Sequence, residues 1–149
     1  MIHLSPINRV FILSAPGFEE ASTIYCLERM RRASLHVLLV SLSAGLVTGQ
    51  HGITVCPDLT LDQIDLNEPV KLVIIAGGRQ CASSLLADPR IHRLLQGLPM
   101  MNASAAVLTT AGSAVSQIYP PDSSPIRFIA QNDTSLEEFV TRLINLSLV

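Results

Sequence analysis

Short, almost entirely apolar runs recur along this chain, and helical patterns alternate with them. Three of these runs are Val10–Leu13, Val37–Val40 and Leu72–Ala76. They are far shorter than the roughly 20 residues that a membrane-spanning helix needs, so no membrane partner is expected. Apolar residues on both faces are typical of strands buried in a parallel sheet. The pattern therefore predicts an α/β fold with a doubly wound, mainly parallel sheet flanked by helices.

Breaks in the apolar periodicity, together with glycine and proline, set the bounds of the predicted elements. The predicted strands are Asn8–Ser14, Leu35–Ser41, Lys71–Ala76, a central strand that begins near Ala103, and Ile126–Ala130. The predicted helices are Phe18–Arg32, a short segment within Leu59–Leu66, Arg79–Leu86, Pro89–Gln96, one that begins near Ala111, and one capped by Thr134 or Ser135 that ends at Leu146. The segments Leu46–Thr48 and Ile53–Cys56 predict a small hairpin at the margin of the sheet.

Composition limits the classes of function. With 149 residues, 48% of them hydrophobic, the chain is long enough for one domain over residues 1–149 with a continuous core. A net charge of −2 and a single lysine leave no basic stripe for nucleic acid. The first six residues lack the pattern of a secretory signal, so a cytoplasmic protein is expected.

The three cysteines have no Cys-x-x-Cys spacing. An odd number of cysteines without that spacing argues against a disulfide framework and against a zinc site. We therefore expect free thiols and predict neither a metal nor a cofactor.

The segment from Ala103 to Val115 reads as a buried strand that turns directly into a helix. Ligands of open α/β sheets sit beyond the carboxyl ends of the strands, where helix N-termini offer unpaired N–H groups. The turn after the preceding strand carries Gly77-Gly78 and faces the same edge. Leu108-Thr109-Thr110 occupies the turn itself, and none of these residues is an obvious nucleophile.

Several blocks of sequence together resemble the ThiJ/PfpI family, which includes the parkinsonism-associated deglycase and is similar to class I glutamine amidotransferase domains. The blocks are Val10–Leu13, Pro16–Glu20, Met30–Ala33, His51–Asp58 and Leu72–Gly78. The resemblance covers residues 8–115 well, and residues 126–130 and 134–139 resemble the last strand and helix of the family. It implies a flavodoxin-like fold and a homodimer.

The resemblance also implies an active site, and this chain departs from it at three places. Leu108 stands at the position of the family's cysteine nucleophile, and Ser22 stands at the position of its glutamate. The segment that carries the family's histidine is missing between Gln117 and Ile126. The N–H groups of Gly78 and Thr109 remain at the positions of an oxyanion-binding pair.

The hydroxyls near this turn have two interpretations. Thr109 or Thr110 could attack a substrate only if a base accepted its proton, and no such base is evident. The structural alternative is that one of them caps the helix that begins near Ala111. A leucine would be strained in the family's elbow, so we expect that the backbone at Leu108 has relaxed.

Charged residues elsewhere also have two interpretations each. Glu19 and Glu20 form either an acid–base pair or a pair that stabilises the helix dipole, and the dipole role is favoured because adjacent helical side chains diverge. His51, in a turn flanked by glycines, is either a ligand or a solvated histidine. Arg31 and Arg32 read as a solvated helix end. On the same helix, Ala21, Ile24, Leu27 and also Met30 are expected to face the core.

Two cysteines are candidates for a role. Cys81 follows Gly77-Gly78 near a helix N-terminus with Arg79 close by, which would lower its pKa, although an inert buried thiol is the alternative. The resemblance places Cys56 at a subunit interface, and we expect it to be a packing residue.

The sequence thus predicts a protein without the family's thiol chemistry. It either binds a small carbonyl or carboxylate metabolite, with Gly78, Thr109, Leu108, Glu19 and Cys81 around the site, or serves as a subunit of a homodimer or hetero-oligomer. One alternative is a hydrolase, hydratase or glyoxalase/deglycase-like enzyme that uses Cys81 or Thr109. Another is a protein-interaction scaffold that uses the shortened face.

Overall fold

The computed structural model describes residues 9–65 and 68–149, and within them eight strands form two sheets. The strands are β1 (Arg9–Ser14), β2 (His36–Ser41), β3 (Val47–Thr48), β4 (Thr54–Val55), β5 (Leu59–Thr60), β6 (Leu72–Ile75), β7 (Ser104–Val107) and β8 (Phe128–Ala130). Six of them form one sheet in the order β5-β2-β1-β6-β7-β8, and every pairing in it is parallel. β3 and β4 form a separate antiparallel hairpin.

Five helices connect and flank these strands. They are α1 (Glu20–Arg32), α2 (Arg79–Leu86), α3 (Pro89–Gly97), α4 (Gly112–Ile118) and α5 (Leu136–Leu148). Two of them start at side-chain caps of the expected kind: Asp88 accepts from the Arg90 N–H at α3, and Ser135 accepts from the Glu138 N–H at α5.

The core consists of two layers because successive strand residues point to opposite faces of the sheet. Phe11 and Leu13 of β1 pack in the layer beneath α2, α3 and α4. Val10 and Ile12 pack in the other layer, beneath α1 and α5. Helices on both faces of a parallel sheet confirm the predicted doubly wound α/β fold, and the small hairpin is confirmed as well.

Two predicted elements differ in the structure. β7 is not central, because it lies between β6 and β8 while β1 and β6 occupy the middle of the sheet. The segment from Leu59 does not begin as a helix: Leu59 and Thr60 pair with the end of β2, and a single 3-10 turn follows at Leu61–Gln63. The predictions that fall on residues 1–8, Leu66 and Asn67 lie outside the described residues.

The inward face of α1 also differs from the prediction. Ser22, Thr23, Cys26 and Met30 are buried, whereas Ile24 is 40% exposed. Ala21 is exposed and Leu27 is half-buried. Glu20, the first residue of the helix, is also buried, because its carboxylate contacts the hairpin. The prediction is therefore right for Met30 and partly right for Leu27, which packs against the core, and it is wrong for Ala21 and Ile24.

The parallel sheet brings the turns that follow β1, β6 and β7 to one edge. These turns lead into α1, α2 and α4, the last by way of a 3-10 turn at Thr109–Ala111. Among the described residues, no helix is both long and apolar enough to cross a membrane.

Candidate functional site

The turns after β1 and β6 touch through their backbones. The Glu19 N–H donates to the Gly77 carbonyl oxygen at 2.9 Å. Gly78 has a φ of +107°, and a Cβ built on it would lie 2.4 Å from the Gly17 carbonyl oxygen. Only glycine fits this position, since a side chain would meet both the backbone of the neighbouring turn and an unfavourable φ.

The turn after β7 joins them through Thr110. The Gly78 N–H donates to the Thr110 Oγ1 at 2.5 Å. The same oxygen lies 2.7 Å from the position that a Gly77 Cβ would take. The prediction that Thr110 caps the following helix is therefore wrong: Ala111 is the cap residue of α4, without a side-chain hydrogen bond. The side chain of Thr109 lies outside what the structure describes.

A carboxylate and a second hydroxyl complete the group. The Ser22 Oγ donates to the Glu19 Oε1 at 2.5 Å, and this oxygen lies 3.5 Å from the Cβ position of Gly77. Glu19, Ser22, Gly78 and Thr110 thus surround Gly77. Ser22, at the position where the resemblance implies a glutamate, is buried and acts here as a donor to its neighbour on the helix.

Leu108 does not line an open site with Gly78. Its side chain is 1% exposed and belongs to the core layer under α1 and α5, and its N–H donates to the Ile75 carbonyl oxygen at 3.2 Å. The Leu108 side chain is therefore not available to a ligand beside Gly78. Among the described residues other than glycine, only Ser34 and Asn102 have a positive φ, so the elbow has relaxed at Leu108.

Glu20 holds the hairpin against α1. Its Oε2 accepts from the backbone N–H groups of His51 at 2.7 Å and Ile53 at 3.1 Å. Its Oε1 lies 3.5 Å from the His51 Nδ1 and is buried without a hydrogen-bond partner. Desolvation raises the pKa of Glu20, but the hydrogen bonds from its own backbone N–H and from those of Ile53 and His51 outweigh it, with a smaller contribution from the nearby His51 imidazole, so the pKa is lower than usual.

The Glu20 carboxylate can reach the hairpin because Gly49, which it approaches closely, has no side chain. A Cβ at Gly49 would lie 2.3 Å from the Glu20 Cδ. The hairpin is also tied to the turn after β1, since the Gln50 N–H donates to the Phe18 carbonyl oxygen at 2.9 Å. Glu19 and Glu20 therefore face different partners, and the acid–base pair is not formed. Glu20 does more than stabilise the helix dipole, because it fixes the hairpin.

The thiols differ in accessibility. Burial raises the pKa of Cys81 to about 12, and a backbone hydrogen bond from Ala15 opposes this only in part. Burial likewise raises the pKa of Cys26 to about 12. The lowered pKa considered for Cys81 is wrong, and its environment is that of an inert core thiol. Cys56 is exposed, so it is not a packing residue within this chain.

The other charged candidates lie on the surface. His51 has a largely exposed side chain next to Glu20. Arg31 pairs with Asp58, and Arg32 pairs with Glu28, as expected of a solvated helix end. Over residues 9–65 and 68–149, no three His, Cys, Asp or Glu side chains come together as metal ligands.

Sequence reasoning missed the two contacts that organise this edge, from Thr110 to Gly78 and from Glu20 to the hairpin. A partial signal existed for the second contact. Gly49 and Gly52 mark a turn whose backbone another group can approach closely, although nothing in the sequence identifies that group as Glu20. The first had none, since a threonine after a strand is equally compatible with a cap.

Comparison of the sequence with known proteins gives one consistent relationship. Residues 8–116 match the profile of the DJ-1/PfpI family. A deglycase from Thermococcus kodakarensis is 41% identical over 71 residues, which are 48% of this chain and 42% of that protein. A Parkinson disease protein 7 homolog from Danio rerio is 28% identical over 60% of this chain and 48% of its own length. The chain thus matches less than half the length of each of these relatives.

Comparison of the fold extends over most of the chain. Oxidized DJ-1 from Toxoplasma gondii superposes with a TM-score of 0.80 at 19% identity, covering 93% of this chain and 90% of its own. A cysteine-to-alanine mutant of a DJ-1 superfamily protein from Salmonella typhimurium gives a TM-score of 0.79 at 19% identity, covering 95% and 90%. At such identities the likeness is one of fold.

Proposed function

This chain belongs to the DJ-1/PfpI family, and we propose that it is a non-catalytic member that acts by binding rather than by turnover. The observation that carries the proposal is the hydrogen bond from the Gly78 N–H to the Thr110 Oγ1. A donor that already pairs with a hydroxyl is not free to stabilise a developing oxyanion. The oxyanion-binding frame has become a structural link between two turns.

The side chains around this frame support the same proposal. Leucine at position 108 cannot form a covalent intermediate, and its side chain is buried in the core. Cys81 and Cys26 are buried thiols with pKa values of about 12. Thiolates are the reactive form of cysteine, so neither residue offers a nucleophile at neutral pH.

We further propose that the chain binds a second copy of itself, and that the contact uses the face formed by α1 and the hairpin. Ile24 is 40% exposed on α1, and Leu46 and Ile53 on the hairpin are 68% and 55% exposed. Ile24 lies one helical turn beyond Glu20, which holds the Ile53 N–H, so these two side chains lie on adjoining surfaces. Contiguous exposed apolar surface, where it is large enough, marks an interaction site. This supports a homodimer, and a hetero-oligomer would use the same face.

Two measurements test the proposal. Purified protein is expected to leave methylglyoxal unconsumed, while a deglycase relative assayed alongside consumes it; turnover at the relative's rate that is lost in Thr109→Ala would refute the non-catalytic role. Light scattering should give a dimer mass, and Ile53→Glu should convert it to a monomer, with Met100→Glu on an unrelated exposed apolar residue as the control. A monomeric wild-type protein would refute the association.

A second candidate function is binding of a small carbonyl or carboxylate metabolite at the same frame. Glu19 is only half-buried, and its carboxylate and the Thr110 hydroxyl both approach Gly77. The Thr110 hydroxyl is a better hydrogen-bond partner for a neutral carbonyl than the Gly78 N–H, because that N–H already has an acceptor. Titration with acetate and with acetone, observed at the Gly78 amide by NMR, distinguishes the two ligands, and no shift with either would exclude this function.

The catalytic and scaffold alternatives predict other outcomes. A hydrolase, hydratase or glyoxalase/deglycase-like enzyme would require Cys81 or Thr109 to react, so its activity would vanish in Cys81→Ser or Thr109→Val. A scaffold would retain a heterologous partner through purification.

A further inference from the structure

We propose that a small apolar cleft between α4 and β8 is a binding site for an aromatic or branched aliphatic group. The cleft measures about 150 Å³. Val107, the last residue of β7, lines its base, and Gly112 and Ser116 of α4 form one wall. Tyr119 and Phe128 line another part of it. It lies beside the turn after β7 but includes neither Gly78 nor Thr110, so this inference does not rest on the proposed function.

The polar groups in the wall are already satisfied. The Ser116 Oγ donates to the Ser113 carbonyl oxygen at 3.1 Å, and the Tyr119 hydroxyl pairs with the His92 Nδ1. No charged side chain lines the cleft. A polar ligand would lose its hydration here without a matching partner, whereas an apolar ligand would gain from leaving water.

The aromatic wall is held in place before any ligand arrives. The Tyr119 ring packs on Phe128 with centroids 5.3 Å apart and on His92 with centroids 5.6 Å apart. His92 is itself fixed, because its Nε2 pairs with the Leu86 carbonyl oxygen at 2.6 Å. A preformed wall lowers the entropy cost of binding. An apolar cavity of about 150 Å³ is large enough to hold benzene, which sets the size of the ligand group.

The free volume depends on Gly112. A Cβ built on Gly112 would meet nothing within 4 Å, and Gly112 is not among the glycines with a positive φ. A larger side chain at this position is therefore compatible with the backbone and would project into open space. Because Gly112 lines the cleft, a substitution at this position tests whether this open space is the volume that a ligand occupies.

Fluorobenzene is the probe that tests this site, with the full chain and fluorine NMR. We expect saturable binding, with contacts to the protons of Tyr119 and Phe128. Gly112→Leu should weaken it on the order of tenfold or more by filling the cleft, whereas Gly97→Ala, a helical glycine remote from the cleft, should not. Phenol should bind more weakly than fluorobenzene, because its hydroxyl finds no free partner.

A second pair of variants keeps the test decisive if Gly112→Leu does not fold. Tyr119→Phe retains the ring and should retain binding, while Tyr119→Ala should abolish it. The proposal is overturned if fluorobenzene shows no saturable binding, if it binds folded Gly112→Leu as well as the wild-type protein, or if phenol binds equally well.

Discussion

The backbone N–H of Gly78 donates to the side-chain oxygen of Thr110 over 2.5 Å, and this bond joins the turns that follow two adjacent parallel strands. Gly78 is buried and cannot carry a side chain, since its Cβ would meet the Gly17 carbonyl. A buried N–H must find an acceptor. Thr110 supplies it from within the chain, at the place where the resemblance implies an oxyanion.

The stability of this turn should depend on the Thr110 hydroxyl. Thr110→Val keeps the shape but removes the acceptor, so we expect it to lower the free energy of unfolding by about 1–3 kcal/mol. Thr110→Ser restores the oxygen and should lose much less. Urea unfolding measures both, and amide exchange should accelerate at Gly78 in the valine variant alone. Equal stability of the two variants would contradict the assignment.

The contact between Gly49 and Glu20 should show as energetic coupling. Gly49→Ala forces a methyl group against the Glu20 carboxylate, and overpacking of this kind costs roughly 1–3 kcal/mol. In a Glu20→Ala background the same substitution should cost clearly less, because the obstructing carboxylate is gone. A double-mutant cycle by urea unfolding measures this difference. Additive effects would show that the two residues do not meet.

Acid should weaken the attachment of the hairpin. Desolvation by itself would raise the pKa of Glu20 in the folded chain. The hydrogen bonds from the N–H groups of Glu20 itself, Ile53 and His51 outweigh it, and the nearby His51 imidazole adds to them, so the pKa is lower than its usual value. A lowered folded pKa contributes stability that is present above the unfolded pKa, about 4.3, and is lost as the pH falls through the folded value. Glu20→Gln should flatten the stability profile between about pH 5 and pH 3. Glu137→Gln, at an exposed position of α5, is the control.

Thiol labelling should separate the three cysteines. At neutral pH only about one in 10⁵ molecules of a thiol with a pKa near 12 is ionised, and both Cys26 and Cys81 are buried with such values. We expect rapid modification of Cys56 alone, read by mass spectrometry, and loss of the rapid phase in Cys56→Ser. Cys81 labelling as fast as Cys56 would instead support the enzyme alternative. In denaturant all three should react.

A buried hydroxyl on α1 offers a stabilising substitution. The Thr23 side chain is fully buried, and its Oγ1 has no hydrogen-bond partner among the described residues. Thr23→Val replaces that hydroxyl with a methyl group, so we expect the free energy of unfolding to rise by about 1 kcal/mol. Thr141→Val should not stabilise, because the Thr141 hydroxyl accepts from Arg29. A destabilised Thr23→Val would mean that the hydroxyl has a partner.

Local patterns in the sequence predicted most of the fold. Val10–Leu13 and Leu72–Ala76 are apolar on both faces, and that pattern needs no partner to be recognised as a buried strand. The order of strands and helices fixes which turns share an edge of the sheet. Gly78 was therefore correctly predicted to lie at the same edge as the turn after β7. The absence of a cysteine at position 108 and of a glutamate at position 22 could also be read directly.

Contacts between residues far apart in the chain could not be predicted in this way. Thr110 looked like a helix cap because its sequence neighbours cannot reveal that the Gly78 N–H, 32 residues earlier, lies within reach. Ile24 looked like a core residue because hydrophobicity alone does not indicate which side of α1 packs on the sheet. For Cys81 the sequence left a reactive and an inert thiol as alternatives, because its burial depends on the packing of α2. The sequence by itself determined the doubly wound architecture and the residue types at positions 108 and 22, since both follow from local residue types. Only the tertiary structure decided which polar group pairs with which backbone N–H, because those pairs depend on distances between separate turns.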